Sequence, residues 1–266
     1  MEPLETLFDP ESRAPSLLSP ELARLYGGGL TLPDDVLYAN FVSSLDGVVA
    51  LEGTAGGGPA AISLHSEPDR FVMGLLRVVA DAVLLGAGTL RDAWKHHWTP
   101  AHIYPDAARL FAALERADPE LVIVTLRGDI DPAQPTLEHR VLILTTDAGR
   151  ARLGTSLPST ARVRSLGPDA PSGRRLRDAV RAEGHRRILT EGGPTVIGLL
   201  LSDGVLDELF LTLSPVLAGR EGHDSARLSL VEGLALPPDA FATGSLRSVR
   251  RHGHHLFLRY AFREGS

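Results

Sequence analysis

Two short glycine-rich stretches contain residue types that bind phosphate groups. They are Gly86-Ala87-Gly88-Thr89 and Glu191-Gly192-Gly193-Pro194-Thr195. Each follows an apolar run typical of a buried strand and precedes a helical pattern, in the second case with Val196 as its first apolar residue. A helix N-terminus offers unpaired N–H groups, glycine admits phosphate oxygens to the backbone, and threonine adds a hydroxyl donor. Two such strand ends on one sheet fit a long cofactor with several phosphates, although tight strand–helix packing would also favour glycine.

Other signatures of nucleotide or ester chemistry are absent. A G-x-G-x-x-G fingerprint beginning at Gly86 would need glycine at position 91, where the chain has Arg91. No Gly-Lys-Ser/Thr occurs, and no G-x-S-x-G occurs either. These absences exclude the usual dinucleotide fingerprint, the P-loop and the nucleophile elbow of α/β-hydrolases.

Polar residues near the first predicted strand and helix are candidates for substrate binding. Ser44 and Asp46 follow strand 36–44, and Asp46 could orient polar substrate atoms or form a turn with the next glycine. Ser66 and Asp69 form a capping pair for helix 66–80. Arg77 on that helix could hold a substrate phosphate through two hydrogen bonds, or it could simply be solvated.

Composition excludes several classes of function. The chain of 266 residues has no cysteine, which rules out disulfides, thiolate zinc sites and cysteine nucleophiles. A net charge of −6 and a pI of about 5.9 predict no nucleic-acid partner. No secretory signal and no apolar run long enough for a membrane span are present, so we expect a cytoplasmic protein without a membrane partner.

Histidines cluster at two places, Lys95-His96-His97-Trp98 and His252-Gly253-His254-His255. A metal site needs a convergent set of ligands, and neither stretch carries carboxylates at ligand spacing. We therefore expect no metal and interpret these residues as exposed turn histidines.

Strand and helix patterns alternate along the chain, which predicts right-handed crossovers and a mostly parallel sheet. The predicted strands are 36–44, 81–86, 121–125, 141–146, 161–166, 186–191 and 207–214, and the predicted helices are 66–80, 105–117, 173–183 and 194–203. Residues 245–262 predict an antiparallel hairpin with its turn near Gly253. Residues 1–33 are interpreted as an N-terminal surface arm with a helix between Ser19 and Gly27, and residues 34–266 as one domain.

Four segments occur in the order and spacing of one known family. They are F-V-S-S-L-D-G, L-R-V-V-A-D-A-V-L-L-G-A-G-T, I-L-T-E-G-G-P-T and V-L-D-E-L-F-L-T-L-S-P-V-L-A-G. Over residues 36–262 the chain resembles the RibD C-terminal reductase domain of riboflavin biosynthesis, here in a stand-alone form. The resemblance implies a dihydrofolate-reductase-like α/β fold of three layers. It also implies NADPH-dependent reduction of 5-amino-6-(5-phosphoribosylamino)uracil, in which the ribosyl group becomes a ribityl chain.

The resemblance also implies roles for individual residues. Val42, Thr89 and the stretch 193–199 match positions that bind NADPH, whereas Arg77 and Glu191 match substrate-binding positions. In such folds the Gly192–Gly193 peptide bond can be cis. Thr125 and Arg127, after strand 121–125, could hold the 2′-phosphate that distinguishes NADPH from NADH. Hydride would pass to the carbon of a C=O or C=N group, with Asp46, Glu191 or water assisting the proton transfer.

Two segments depart from the family pattern. Residues 90–100 read L-R-D-A-W-K-H-H-W-T-P and lack a downstream arginine, and loop 53–61 lacks the usual Ser-x-Trp. A reductase of dihydrofolate, another pterin or another heterocycle is therefore an alternative, as is a nucleotide-binding protein without turnover. We also expect a homodimer, because the apolar segment 255–262 would otherwise be an exposed edge strand.

Overall fold

The computed structural model describes residues 1–11, 14–51, 58–220 and 226–262. Its helices are α1 (Pro20–Tyr26), α2 (Gly58–Ile62), α3 (Glu67–Val78), α4 (Ala87–Asp92), α5 (Pro100–Ile103), α6 (Ala108–Ala112), α7 (Asp147–Leu153), α8 (Gly173–Ala182) and α9 (Pro194–Ser202). Its strands are β1 (Glu5–Phe8), β2 (Val36–Ser43), β3 (Val48–Leu51), β4 (Ala82–Gly86), β5 (Glu120–Thr125), β6 (Val141–Thr145), β7 (Ala161–Ser165), β8 (Arg187–Thr190), β9 (Glu208–Leu213), β10 (Arg227–Ser229), β11 (Ser245–His252) and β12 (His255–Ala261). Most predicted elements are confirmed within one or two residues.

One large sheet organises the described part of the chain, with strand order β1-β11-β12-β9-β2-β8-β4-β5-β6-β7. Neighbours from β9 to β7 pair in parallel, whereas β12, β11 and β1 are joined by antiparallel pairing. The predicted fold class, a mostly parallel central sheet with a C-terminal antiparallel hairpin, is confirmed. The short strands β3 and β10 form a separate antiparallel pair.

Both faces of the sheet are covered because its central strands are apolar on both sides. In β5, Leu121 and Ile123 belong to the core that includes residues of α1, α3 and α6. Val122 and Val124 belong to the opposite core, with residues of α8 and α9. Successive side chains of a strand point to opposite faces, so this alternation produces the predicted three layers.

The N-terminal segment is part of the main sheet rather than a surface arm. Its strand β1 pairs with β11, and Leu4, Leu22 and Leu30 are almost fully buried in the core. The predicted helix is confirmed as α1, with Ser19 as N-cap and Gly27 as a left-handed C-cap. Apolar side chains in this segment bury against the sheet, which its Pro- and Gly-rich composition concealed. The domain boundary at residue 33 stays a prediction.

Two expectations about this part of the fold are wrong. The helix predicted over 105–117 is a short 3₁₀ turn at Pro105–Ala107 followed by α6, which ends at Ala112. Pro105 cannot donate a backbone hydrogen bond and so ends α5, and the left-handed φ of 53° at Glu115 prevents the predicted helix from reaching residue 117. The segment 255–262 is not an edge, because β12 lies between β11 and β9. No helix in the described ranges is long and apolar enough to cross a membrane.

Candidate active site

A cavity of about 310 Å³ opens at the carboxyl ends of β2, β4 and β8. Six residues predicted to bind a cofactor or substrate line it, namely Val42, Arg77, Thr89, Glu191, Gly193 and Pro194. Residues missed by the sequence reasoning complete the wall, among them Asn40, Asp69, Arg70, Met73, His96 and Trp98. In open parallel sheets the carboxyl ends of the strands are the usual place for a ligand, so the site lies where the topology favours it.

The two glycine-rich strand ends lie side by side, because β4 and β8 are neighbours. A Cβ atom added to Gly193 would meet only Thr89 Oγ1, at 3.5 Å, and would otherwise have open space. A Cβ added to Gly192 would lie 2.8 Å from the Cα of Leu85. Gly193 therefore leaves the cavity wall bare, whereas Gly192 is required for close packing on β4.

The helix starts α4 and α9 both begin at this junction. Gly86 is the N-cap of α4, and Gly193 is the N-cap of α9. Val196 packs towards Gly86, and Thr195 is exposed on the first turn of α9. Neither these two residues nor Gly86 and Gly88 are among the residues that line the cavity. The described backbone has no cis peptide bond, so the Gly192–Gly193 bond is trans rather than cis.

Arg77 and Glu191 form a buried ion pair at the base of the cavity. Arg77 Nη2 lies 2.6 Å from Glu191 Oε2, and Nε lies 3.0 Å from Oε1. The side chains are 1% and 6% exposed. The other N–H groups of Arg77 point to the carbonyls of His97 and Thr99 and to His96 Nε2. All five donors of the guanidinium are thus engaged within the chain, so the predicted role in holding a phosphate gains no support from the geometry.

His96 is a wall residue and not the exposed turn histidine that the sequence suggested. The guanidinium of Arg77 can only donate, so His96 Nε2, 3.1 Å from Nη2, must accept. The ring is therefore neutral and carries its proton on Nδ1. Burial, aided by the positive charge of Arg77, lowers the pKa of His96 to about 3. The ring packs edge-on against Trp98, with 4.9 Å between their centroids.

Asp69 brings a second carboxyl group to the cavity wall. It lies in the first turn of α3, where its N–H donates to the N-cap hydroxyl of Ser66, as the predicted capping pair requires. Its side chain is directed inward and the residue is only 5% exposed. Burial raises the pKa of Asp69 to about 6, a hydrogen bond with Thr212 opposes this shift, and the negative charge of Glu191 adds to it.

Asp46 and Ser44 stabilise a turn and are not among the residues that line the cavity. The Asp46 carboxylate accepts from the backbone N–H groups of Ala218 at 2.9 Å and Gly219 at 2.6 Å. Ser44 Oγ donates to Asp46 Oδ1 and accepts from Val48 N–H. These hydrogen bonds, the one from Ser44 first, hold the pKa of Asp46 well below its usual range. A role in the turn accounts for the contacts of both residues. The geometry gives no support to a catalytic role for Asp46.

Thr125 and Arg127 lie at the end of β5, away from the cavity lining. Thr125 is buried, and its Oγ1 accepts from the N–H of Asp129 at 3.2 Å. Arg127 is exposed. The turn that follows Arg127 packs closely against α7. A Cβ on Gly128 would lie 2.2 Å from the carbonyl oxygen of Gly149 in that helix.

Arg70 is an exposed cation at the cavity wall. It precedes Arg77 by seven residues on α3, so the two side chains project from the same side of the helix. No carboxylate of the described residues lies within ion-pair distance of Arg70. Among the same residues, no group of three or more histidine, aspartate or glutamate side chains is arranged to hold a metal ion.

Comparison with known proteins places the chain in a family. Residues 35–236 match the family described as the RibD C-terminal domain. The chain is 24% identical over 192 residues to the 2,5-diamino-6-ribosylamino-4(3H)-pyrimidinone 5′-phosphate reductase of Archaeoglobus fulgidus, covering 71% of this chain and 83% of that protein. The match confirms the resemblance drawn from the four segments, and with it the prediction of an oxidoreductase of the pyrimidine-reductase type.

Two solved structures have the same fold. A pyrimidine reductase-like protein from Corynebacterium diphtheriae superposes with a TM-score of 0.67 and 21% identity, covering 89% of this chain and 96% of that one. A deaminase/5-amino-6-(5-phosphoribosylamino)uracil reductase from Thermotoga maritima gives 0.62 and 19%, covering 86% and 56%. Since both identities lie below 25%, these matches show the fold alone.

Proposed function

The chain belongs to the RibD C-terminal domain family, and from that premise we propose that it reduces a ribosylaminopyrimidine 5′-phosphate with NADPH. One observation carries the proposal. The bare backbone of Gly193 and the hydroxyl of Thr89 form one side of a cavity whose other side is a row of polar side chains on α3. A cofactor and a polar heterocycle would therefore meet inside the same enclosed space.

The family suggests a nicotinamide cofactor, and the residues present fit one. Gly193 has open space where a side chain would stand, and Thr89 Oγ1 lies next to it. The first turn of α9 has N–H groups without helical partners, which suit a diphosphate. Val42 and Pro194 add apolar wall for a planar ring. NADPH bound here would supply a hydride, and these four residues would orient it.

The adenosine end of NADPH would lie towards β5, the strand beside β4. Arg127 is exposed there, and Thr125 holds the preceding turn through its hydroxyl. We assign the 2′-phosphate contact to Arg127 and a supporting role to Thr125. This contact would favour NADPH over NADH, because only NADPH carries that phosphate.

The substrate phosphate is assigned to Arg70 rather than Arg77. The N–H groups of Arg77 already donate to Glu191, His96 and two backbone carbonyls. Arg70, at the exposed part of the same wall, keeps its guanidinium available to an anion. Arg77 and Glu191 then act as a rigid base of the site, and Glu191 still offers spare lone pairs to a substrate hydroxyl or amine.

The proton that accompanies the hydride is assigned to water. Asp46 is engaged by two backbone N–H groups outside the cavity lining. Glu191 is held as an acceptor by Arg77, so it is poorly suited to carry a proton to the substrate. The group reduced is then the C=N bond between the ribosyl carbon and the amine nitrogen. Its carbon gains a C–H bond from the hydride, and its nitrogen gains an N–H bond from solvent.

A homodimer is still proposed, on a different surface from the predicted one. β1 is the edge of the sheet on the hairpin side. Leu7 and Phe8 on this strand are exposed, as is Leu246 on the neighbouring strand β11. A second copy would cover this apolar edge. Size-exclusion chromatography with light scattering should give a mass near 57 kDa, twice the 28.5 kDa of one chain. The cytoplasmic location stays a prediction.

The proposal is tested first by titrating the protein with NADPH and with NADH, then by following NADPH oxidation. We expect micromolar NADPH binding, weaker NADH binding and turnover with a ribosylaminopyrimidine 5′-phosphate. Binding of NADPH without reduction of any heterocycle would replace the proposal by the non-catalytic alternative. No binding of either nucleotide would remove the reductase assignment altogether.

A further inference from the structure

Asp69 is a buried carboxyl group that the proposed reaction does not use. Asp69, Met73 and Arg77 are spaced four residues apart on α3, so they form one stripe that faces the cavity. Arg77 pairs with Glu191, whereas no cation in the described ranges forms an ion pair with Asp69. Among the described residues, Asp69 has one side-chain hydrogen-bond partner, the hydroxyl of Thr212. A carboxylate has about four acceptor positions, so most of its capacity is directed at whatever occupies the cavity.

Burying such a group is costly unless a ligand donates hydrogen bonds to it. The ligand that suits a carboxylate best presents two N–H groups side by side, as one edge of a guanidinium does. A 2-amino-4(3H)-pyrimidinone has such an edge, formed by its ring N3–H and its 2-amino group. A uracil does not, because every edge that contains C2 combines one N–H donor with a carbonyl oxygen.

The substrates named for the two relatives differ at the group on ring carbon C2. The Archaeoglobus fulgidus reductase acts on a 2,5-diamino-4(3H)-pyrimidinone, and the Thermotoga maritima enzyme on a uracil. We propose that Asp69 selects the 2-amino-4-oxo edge, so that this protein reduces a 2-aminopyrimidinone in preference to the corresponding uracil. The inference rests on the proposed function and deepens it by naming the ring. Pterins share the same edge, so the dihydropterin alternative is a second source of the same chemistry.

The predicted preference has a quantitative form. A carboxylate that faces the uracil C2 carbonyl meets a second acceptor, and a site built for a donor rejects an analogue lacking it by about 10²-fold or more. In Asp69→Asn the side-chain oxygen can accept from N3–H while the amide nitrogen donates to the C2 carbonyl. The variant should therefore lose the preference for the 2-amino ring and turn towards the uracil.

The experiment compares kcat/KM for the 2,5-diamino-pyrimidinone phosphate, its uracil counterpart and dihydrofolate. Wild-type protein should favour the 2-amino pyrimidinone over the uracil by about 10²-fold, and Asp69→Asn should bring the ratio to unity or below it. Glu67→Gln is the matched control, because it removes a carboxylate from the same helical turn outside the cavity lining and should leave the ratio unchanged. Faster reduction of dihydrofolate than of either pyrimidine would identify a pterin as the source of the edge.

Binding measurements separate this inference from the proposed function. The protein saturated with NADP⁺ is titrated with isocytosine and with uracil, which carry the two edges without a reactive chain. Tighter binding of isocytosine that disappears in Asp69→Asn supports the inference even if no phosphate substrate is turned over. Equal binding of the two rings by the wild-type protein, or an unchanged ratio in Asp69→Asn, overturns it even if the reductase activity is found.

Discussion

Arg77 on α3 and Glu191 after β8 are joined across 114 residues of chain by three hydrogen-bond contacts, the shortest of 2.6 Å between Nη2 and Oε2. Each was predicted to bind substrate, and the structure shows that each first binds the other. Because both side chains are buried, the pair fixes α3 against the strand end that carries Gly192 and Gly193. The cavity wall is therefore rigid at the point where substrate and cofactor would meet.

Removing one partner of this pair should destabilise the protein strongly. Arg77→Met leaves the Glu191 carboxylate buried without its cation, which typically costs about 3–5 kcal/mol of unfolding free energy. Urea unfolding measures the loss. Arg152→Met, which breaks the exposed pair with Asp129, is the matched control and should cost about 0–1 kcal/mol. The double variant Arg77→Met/Glu191→Gln should be less destabilised than the sum of its single changes, and strict additivity would contradict the pairing.

Adjacent glycines should respond differently to the same methyl group. Gly192→Ala places Cβ 2.8 Å from the backbone of Leu85 and should cost about 1–3 kcal/mol of stability. Gly193→Ala meets only the Thr89 hydroxyl at 3.5 Å, so the fold should tolerate it. The added methyl group occupies the cofactor side of the cavity and should weaken NADPH binding about tenfold, or about 1.4 kcal/mol. Unaltered NADPH affinity in Gly193→Ala would move the cofactor away from this junction.

Asp46→Asn should affect the turn after β2 and leave the chemistry in place. The amide cannot accept from both Ala218 and Gly219 N–H groups, so the thermal unfolding midpoint should fall. A residue that transfers protons in the reaction usually contributes about 10²–10⁴-fold to the rate. We expect kcat to stay within about threefold of the wild-type value, well short of that loss. A hundredfold decrease in kcat with an unchanged midpoint would restore the catalytic role.

Arg127→Ala should reduce the preference for NADPH over NADH. Loss of one hydrogen bond from a cation to the 2′-phosphate costs about 1.5–3 kcal/mol, which weakens NADPH binding by about 10–100-fold. NADH affinity should not change, because NADH has no such phosphate. Arg24→Ala, an exposed arginine on α1, serves as control. Equal NADPH affinity in wild-type protein and Arg127→Ala would remove Arg127 from the site.

The buried charge of Asp69 should make the stability difference between wild-type protein and Asp69→Asn depend on pH. Burial raises the pKa of Asp69 from 3.8 to about 6. The negative charge of Glu191 adds to this shift, and the positive charge of Arg70 opposes it. The folded state binds the proton more tightly, so this contribution to stability is fully present below about pH 4 and is lost as pH rises through 6. Relative to wild type, Asp69→Asn should gain up to about 3 kcal/mol between pH 4 and 7.5 in urea unfolding. A constant difference over that range would show that folding does not raise the pKa of Asp69.

Local pattern was sufficient for most of the architecture. Apolar runs and their glycine and threonine ends predicted the parallel strands, the start of α9 and the hairpin after Gly253, because these depend on neighbours in sequence. Local pattern was insufficient for the helix predicted after Pro105, which is interrupted in the structure. It was also insufficient for β1, because the place of β1 in the sheet depends on pairing with β11, more than 230 residues away. The same limit explains why the hairpin strand β12 was mistaken for an edge.

The sequence by itself determined the family, the reductase class and the two strand ends that would bind a cofactor, since each is written in a contiguous motif. Only the tertiary structure decided the state of the side chains. It joined Arg77 to Glu191, brought His96 to Arg77 and turned Asp46 towards Ala218. It also buried Asp69 without an ion pair to any cation of the described residues. Hydrogen bonds form between groups that come within about 3 Å of each other in space, even when they are far apart in sequence. The spacing of residues along the chain does not reveal which groups these are.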